Sequence, residues 1–182
     1  MDKIKTFLAG SDCFYPNYKE IREEKIKLCE QYGLLVLPND EYPDEVVKPV
    51  TDHSICWSNI KRLEKCDLIL ANLETFRGPE PDSGTVFECT YAYAQGRKVY
   101  AYYNHPDMVT AVEKEYGPVT WKEVTKEDGT VLNSPKDQEG RSIENWGKAI
   151  NLMLTGTITC VHGTFEDLLE VVAKDLGLKK QA

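Results

Sequence analysis

Residues 67–103, DLILANLETFRGPEPDSGTVFECTYAYAQGRKVYAYY, decide the fold. The opening DLILAN is apolar along its middle, as a central strand of a parallel sheet is when both its faces are covered. KVYAYY at the far end reads as a second strand. Between them a polar loop, broken by Gly78, Pro79 and Pro81, runs into a helix that starts near Asp82 or Ser83. Strand, loop, helix and strand in that order form a parallel crossover unit.

The same alternation continues on both sides. Upstream, IKTFLAG (4–10) is a strand, and a helix runs from about Tyr18 to Tyr32, where Gly33 stops it. LLVLP (34–38) is the next strand, and SICWSNIKRLEKC (54–66) carries Ile55, Asn59/Ile60 and Leu63 at helical spacing. Downstream, residues 104–142 are less regular and read as an insertion, with a helix in HPDMVTAVEKEYG and a hairpin around Asp128-Gly129. A short helix through SIENWGKAINLML, a fifth strand TITCV and an amphipathic helix TFEDLLEVVAKDL follow, the last with a capping box of Thr164 and Asp167. The expectation is one α/β domain over residues 1–182, a flavodoxin-like (Rossmann-like) doubly wound five-stranded parallel sheet. Right-handed crossovers favour the order 2-1-3-4-5, with helices on both faces.

Composition narrows the function. A length of 182 residues suits a single core, and 41% hydrophobic with 29% charged residues is ordinary for a soluble globular protein. A net charge of −8 without a basic cluster argues against nucleic acid. No apolar run is long enough to cross a bilayer. MDKIKTFLAG turns polar too soon for a secretory signal, so a cytoplasmic protein is expected. The six cysteines contain no C-x-x-C pair and read as buried free thiols, and the three histidines show no ligand spacing, so no metal is expected.

In such sheets ligands bind beyond the carboxyl ends of the strands. After the first strand, AGSDCFYPN (9–17) has Gly10 for close approach but lacks a dinucleotide fingerprint, and Phe14 is either an aromatic wall or core. After the second, Asp40 and Glu41 lie nearest the strand end and are the site candidates, while Asp44 and Glu45 belong to a solvated loop. After the third, Gly84 stands one helical turn before Glu88 and leaves open space above its carboxylate. Asp82 lies about 9 Å from Glu88 along the helix axis, room for a sugar-sized group. Two carboxylates about a glycosidic bond are the equipment of a glycosyl-transferring enzyme. The plainer alternatives are an N-cap for Asp82 and a surface carboxylate for Glu88. Val86, Phe87, Tyr91, Ala92 and Ala94 make the helix apolar on most sides, which argues for a half-buried Glu88.

These residues resemble the nucleoside 2-deoxyribosyltransferases. The likeness rests on LAG (8–10) followed by Phe14, on N-I-x(5)-C-D from Asn59 to Asp67, on FRGPEPDSGTVFE (76–88) and on INLML (150–154). The resemblance implies double-displacement transfer of 2-deoxyribose between nucleobases, with Glu88 as nucleophile and Asp82 assisting proton exchange with the base. It implies that Phe14 lines the base pocket and that Asp40 or Glu41 is the polar base-binding residue. Asn59 stands where some members carry an aspartate near the base, and this departure bears on base preference. Asn151 and Met153 fall on the segment that closes a neighbouring subunit's pocket over the sugar, which implies a homo-oligomer of at least two chains with shared sites. The implied partners are 2′-deoxynucleosides and free nucleobases, in nucleobase salvage, with no cofactor. Two other readings stand beside it: a nucleoside or nucleoside 5′-monophosphate N-glycosidase, in which water replaces the second base, and a nucleoside-binding module without turnover.

Overall fold

The computed structural model describes residues 3–38 and 49–181. In chain order its elements are β1 (Ile4–Gly10), α1 (Tyr18–Gln31), β2 (Leu34–Val36), α2 (Asp52–Lys65), β3 (Leu68–Asn72), α3 (Ser83–Ala94) and β4 (Lys98–Tyr103). There follow α4 (Met108–Tyr116), β5 (Thr120–Thr125), β6 (Val131–Lys136), α5 (Leu152–Thr155), β7 (Thr159–His162) and α6 (Phe165–Leu176). Five strands form one parallel sheet in the order β2-β1-β3-β4-β7. This is the flavodoxin-like order expected, with β7 as the fifth strand because β5 and β6 pair only with each other.

β3 shows why the sheet is covered twice. Its five residues are all buried. Leu68 and Leu70 pack with Cys29 of α1 and Leu168 of α6, while Ile69 and Ala71 pack with Leu63 of α2 and with Cys89 and Ala92 of α3. Successive side chains point to opposite faces, so the strand is apolar from Leu68 to Ala71, and the buried Asn72 at its carboxyl end is hydrogen-bonded. α6 begins with the expected capping box of Thr164 and Asp167 and ends at Gly177 in the left-handed region, φ 65°. The hairpin turns at Gly129, φ 81°, closed by Gly129 N donating to Lys126 O at 2.9 Å.

One expected element is much shorter than its sequence suggested. The helix through residues 142–154 is confined to Leu152–Thr155. Gly147 interrupts the segment at φ 63°, and the helix is started afresh by side chains. Asn151 Oδ1 accepts from Met153 N at 2.9 Å, and Glu144 Oε2 accepts from Leu152 N at 2.8 Å.

Candidate active site

The strand order turns over at β1, so the connections leaving β1 and β3 meet above the sheet. Gly10 is paired with Asn72, and a Cβ on Gly10 would stand 2.8 Å from Asn72 Cβ. Glycine is what permits that approach. Asn72 Nδ2 donates to Asp12 Oδ1 at 2.9 Å, and Asn72 Oδ1 accepts from Glu74 N at 3.0 Å. Asp12 also pairs with the buried Lys25 of α1. One asparagine thus ties the turn carrying Cys13 and Phe14 to the loop leading to Phe76 and Arg77.

Phe14 is 56% exposed and stacks on Phe76 with ring centroids 5.1 Å apart. It is a wall and not core. The Arg77 guanidinium lies 4.7 Å from the Phe76 ring and 5.5 Å from the Phe14 ring. Arg77 is the one non-glycine residue with left-handed backbone among the described residues, φ 57°. The loop is closed behind it by Phe76 N donating to Glu80 O at 2.9 Å.

Asp82 is the N-cap of α3, its Oδ2 accepting from Thr85 N at 2.8 Å and from Thr85 Oγ1 at 2.9 Å. A Cβ on Gly84 would come within 3.1 Å of that same Oδ2 and near no other side chain. Gly84 therefore both spares the capping carboxylate and leaves the first turn open. Glu88 is half-buried, and among the described residues no hydrogen bond reaches it. Burial pushes its carboxyl up to about 7, against the pull of the Arg62 charge and with a smaller push from Asp82. Burial, then the charges of Glu88, Asp82 and Asp12, raise the Cys13 thiol above its ordinary value. The turn after β1 and the first turns of α3 therefore face one another electrostatically.

Asn59 lies on α2, half-buried, and its Oδ1 accepts from Arg62 Nη2. Arg62 in turn lies over the Phe7 ring, 5.8 Å from its centroid. Sequence reasoning missed Arg62. Its signal was the spacing of three from Asn59, which places both on one helical face. Phe76 and the Asp12–Asn72 tie were missed too, because nothing local in the sequence marks contacts made across the sheet.

The remaining candidates fall elsewhere. Asp40 and Glu41 lie outside the described residues. Asn151 donates from Nδ2 to Glu144 Oε1 at 2.7 Å, and Met153 is 66% exposed. Asn151 lines a groove of about 530 Å³ with Arg77, Glu80, Tyr116 and Glu144, a groove that Glu88 and Asp82 do not line. There burial, then the Glu144 charge, raise the Glu80 carboxyl, with His105 opposing. All six cysteines are free thiols, with Cys13 and Cys56 exposed contrary to the buried expectation. Among the described residues no group of three or more His, Cys, Asp or Glu could hold a metal ion, and no helix is long and apolar enough to cross a membrane.

Fold and site define a class: a doubly wound α/β protein with a half-buried glutamate and a nearby aspartate, a pair suited to chemistry at a glycosidic bond. The family model described as nucleoside 2-deoxyribosyltransferase matches residues 6–153, and the chain belongs to that family. The family is enzymatic and acts on nucleosides and nucleobases. The chain is similar to the solved structure of a 2-desoxiribosyltransferase from Leishmania mexicana, with a TM-score of 0.66 and 27% identity, covering 94% of this chain and 97% of that one. A conserved protein from Enterococcus faecalis V583 shares the fold, with a TM-score of 0.59 and 18% identity over 96% of this chain and 99% of that one. An uncharacterized protein of Schizosaccharomyces pombe is 25% identical over 186 residues, 95% of this chain and 88% of that protein.

Proposed function

We propose that this protein transfers 2-deoxyribose from one nucleobase to another by double displacement. Glu88 attacks the anomeric carbon, forming a C1′–O bond while the C1′–N bond breaks and its electron pair leaves with the base. The departing base nitrogen takes up a proton, with Asp82 as the group that exchanges it. A second base then attacks C1′ from the opposite face, releases the Glu88 carboxylate and gives up its proton. Configuration is retained.

The observation that carries this reading is Glu88 itself: half-buried, without a hydrogen-bond partner among the described residues, and close enough to Asp82 to feel its charge. Phe14 and Phe76 supply an aromatic wall for the base. The functional unit is an oligomer in which Asn151 and Met153 of one chain close the sugar pocket of another. The exposed Trp146, Leu152 and Met153 give that contact its apolar surface.

A second reading, hydrolysis of a nucleoside 5′-monophosphate, draws on Arg77. Its guanidinium rests on two rings and makes no hydrogen bond among the described residues, which leaves its donors open to a phosphate. Incubation with 2′-deoxyinosine, with and without adenine, separates the two beside a Glu88→Ala variant. New 2′-deoxyadenosine, absent with the variant, is expected. Free hypoxanthine released at one rate, whether or not adenine is present, would support the hydrolase.

A further inference from the structure

The β5–β6 hairpin pairs with no other named strand among the described residues, and all six residues of β5 are exposed. A two-stranded ribbon is marginal by itself and is steadied by further strands or by packing. Its two edges differ. Pro135 of β6 has no N–H to give, its carbonyl accepts from Ile143 N at 3.0 Å, and Lys136 bridges to Ser142. That edge is closed. The same contact fixes which groups of β5 point outward. Pro135 turns its carbonyl to Ile143, away from β5, so Trp121 and Pro135 stand opposite each other without exchanging hydrogen bonds. Such pairs alternate with bonded ones along a ladder, so Glu123–Asn133 and Thr125–Val131 are of the same kind. The turn agrees: Lys126 N donates to Thr130 O at 2.8 Å, one step beyond Thr125 and Val131. The N–H and C=O groups of Trp121, Glu123 and Thr125 therefore line the outer edge of β5, and among the described residues none of them is hydrogen-bonded. β5 has neither a proline nor a bulge to guard that edge, which makes it a template for another strand.

From this we infer that β5 docks on β5 of a second copy of this chain, antiparallel, about a two-fold axis at Val124. Run antiparallel, such an edge meets its own copy with each outward donor facing an acceptor, as a self-complementary contact requires. Only outward-pointing residues can bond to one another, so the axis passes beside a residue and not between two. In the middle of the strand, an axis at Lys122 or Glu123 sets like charges directly opposite at the centre of the contact. At Val124 it sets valine against valine. Val124 already stands opposite Leu132 within the hairpin, so the two copies form one apolar row of Leu132, Val124, Val124 and Leu132 across a four-stranded ribbon. Val124 and Leu132 are both exposed in the single chain. In this register Glu123 and Thr125 exchange backbone hydrogen bonds with Thr125 and Glu123 of the second copy. Lys122 meets the second copy's Lys126 at the rim, where long side chains diverge into water. The contact uses none of the residues that the transfer reading sets at the shared pocket, and it stands independently of that reading.

The test is cross-linking of the full chain carrying Val124→Cys. Opposed residues that exchange no hydrogen bonds have Cα atoms about 4.5 Å apart, within disulfide reach. Mild oxidation should give a dimer on non-reducing electrophoresis, and peptide mass spectrometry should find the introduced cysteine joined to its own counterpart. The mapping also keeps that link apart from any made by the exposed Cys13 and Cys56. Val131→Cys, exposed on the other strand, is the control and should link at least about tenfold more slowly. Glu123→Pro removes one outward N–H, as Pro135 does on β6, and spares the hairpin's own ladder. Added to Val124→Cys it should slow the link by about tenfold or more. Made alone, it should halve the particle mass seen by sedimentation at high protein concentration, with thermal melting showing the domain still folded. Absence of the self-link, a link no faster than at Val131, or a link and a particle mass unmoved by Glu123→Pro overturns the inference.

Discussion

The positive charge of Arg62 on α2 works against the upward push that burial gives the Glu88 carboxyl on α3, and the carboxyl is left at about 7. A glutamate must be ionised to attack carbon. The kcat/KM for base exchange should therefore rise with pH through about 7 and level off above it. Replacing Arg62 by Met removes the opposing charge and should move that acid limb upward by roughly half a unit to one unit. A pH profile of the variant that overlays wild type would show that Arg62 does not act on Glu88.

The same group makes stability depend on pH. The folded carboxyl titrates above the ordinary carboxylate range, so in that window the folded state holds a proton that the unfolded state has lost. Stability then falls as pH rises from the unfolded value through about 7, and the penalty is complete above it. Glu88→Gln should be more stable than wild type at about pH 8, by up to about 3 kcal/mol, with the difference fading towards about pH 4. Urea unfolding at the two pH values measures it.

Asp82 has a structural duty and a proposed chemical one, and they can be separated. Asparagine caps a helix about as well as aspartate does, so Asp82→Asn should keep the contacts to Thr85 and stay within about 0.5 kcal/mol of wild type. Loss of the proton-exchanging group should still lower kcat by about a hundredfold. Asp82→Ala should lose activity and in addition about 1 kcal/mol of stability.

Asp12 holds the turn carrying Phe14 through Lys25 and Asn72. Asp12→Ala leaves the buried Lys25 ammonium unpaired and should cost about 3 kcal/mol. It also frees the turn carrying Phe14, so the KM for the acceptor base should rise. Denaturant melts and initial rates measure the two effects independently.

The sheet could be read in the sequence because each of its constraints is local. β3 is apolar from Leu68 to Ala71, and Gly33, Gly129 and the Thr164–Asp167 cap mark turns and helix ends within a few residues. The extent of α5 could not be read this way. The 142–154 segment has helical spacing, but Gly147 and the reach of Glu144 to Leu152 N, eight residues away, restart the chain at Asn151. The site divides in the same manner. Asp82, Gly84 and Glu88 lie on one helix and could be placed by counting residues. Arg62, Phe76 and the Asp12–Asn72 tie belong to it through contacts between elements, which depend on strand order and on how closely Gly10 lets β1 approach β3.

The central claim is that Glu88 carries the sugar between bases. The most direct measurement is peptide mass spectrometry of the protein quenched in acid during turnover of 2′-deoxyinosine. One 2-deoxyribosyl group on the peptide bearing Glu88, absent from the Glu88→Ala variant and discharged when adenine is added, is the expected result. Steady release of hypoxanthine with no adduct on that peptide, or with an adduct that survives in the variant, would contradict it.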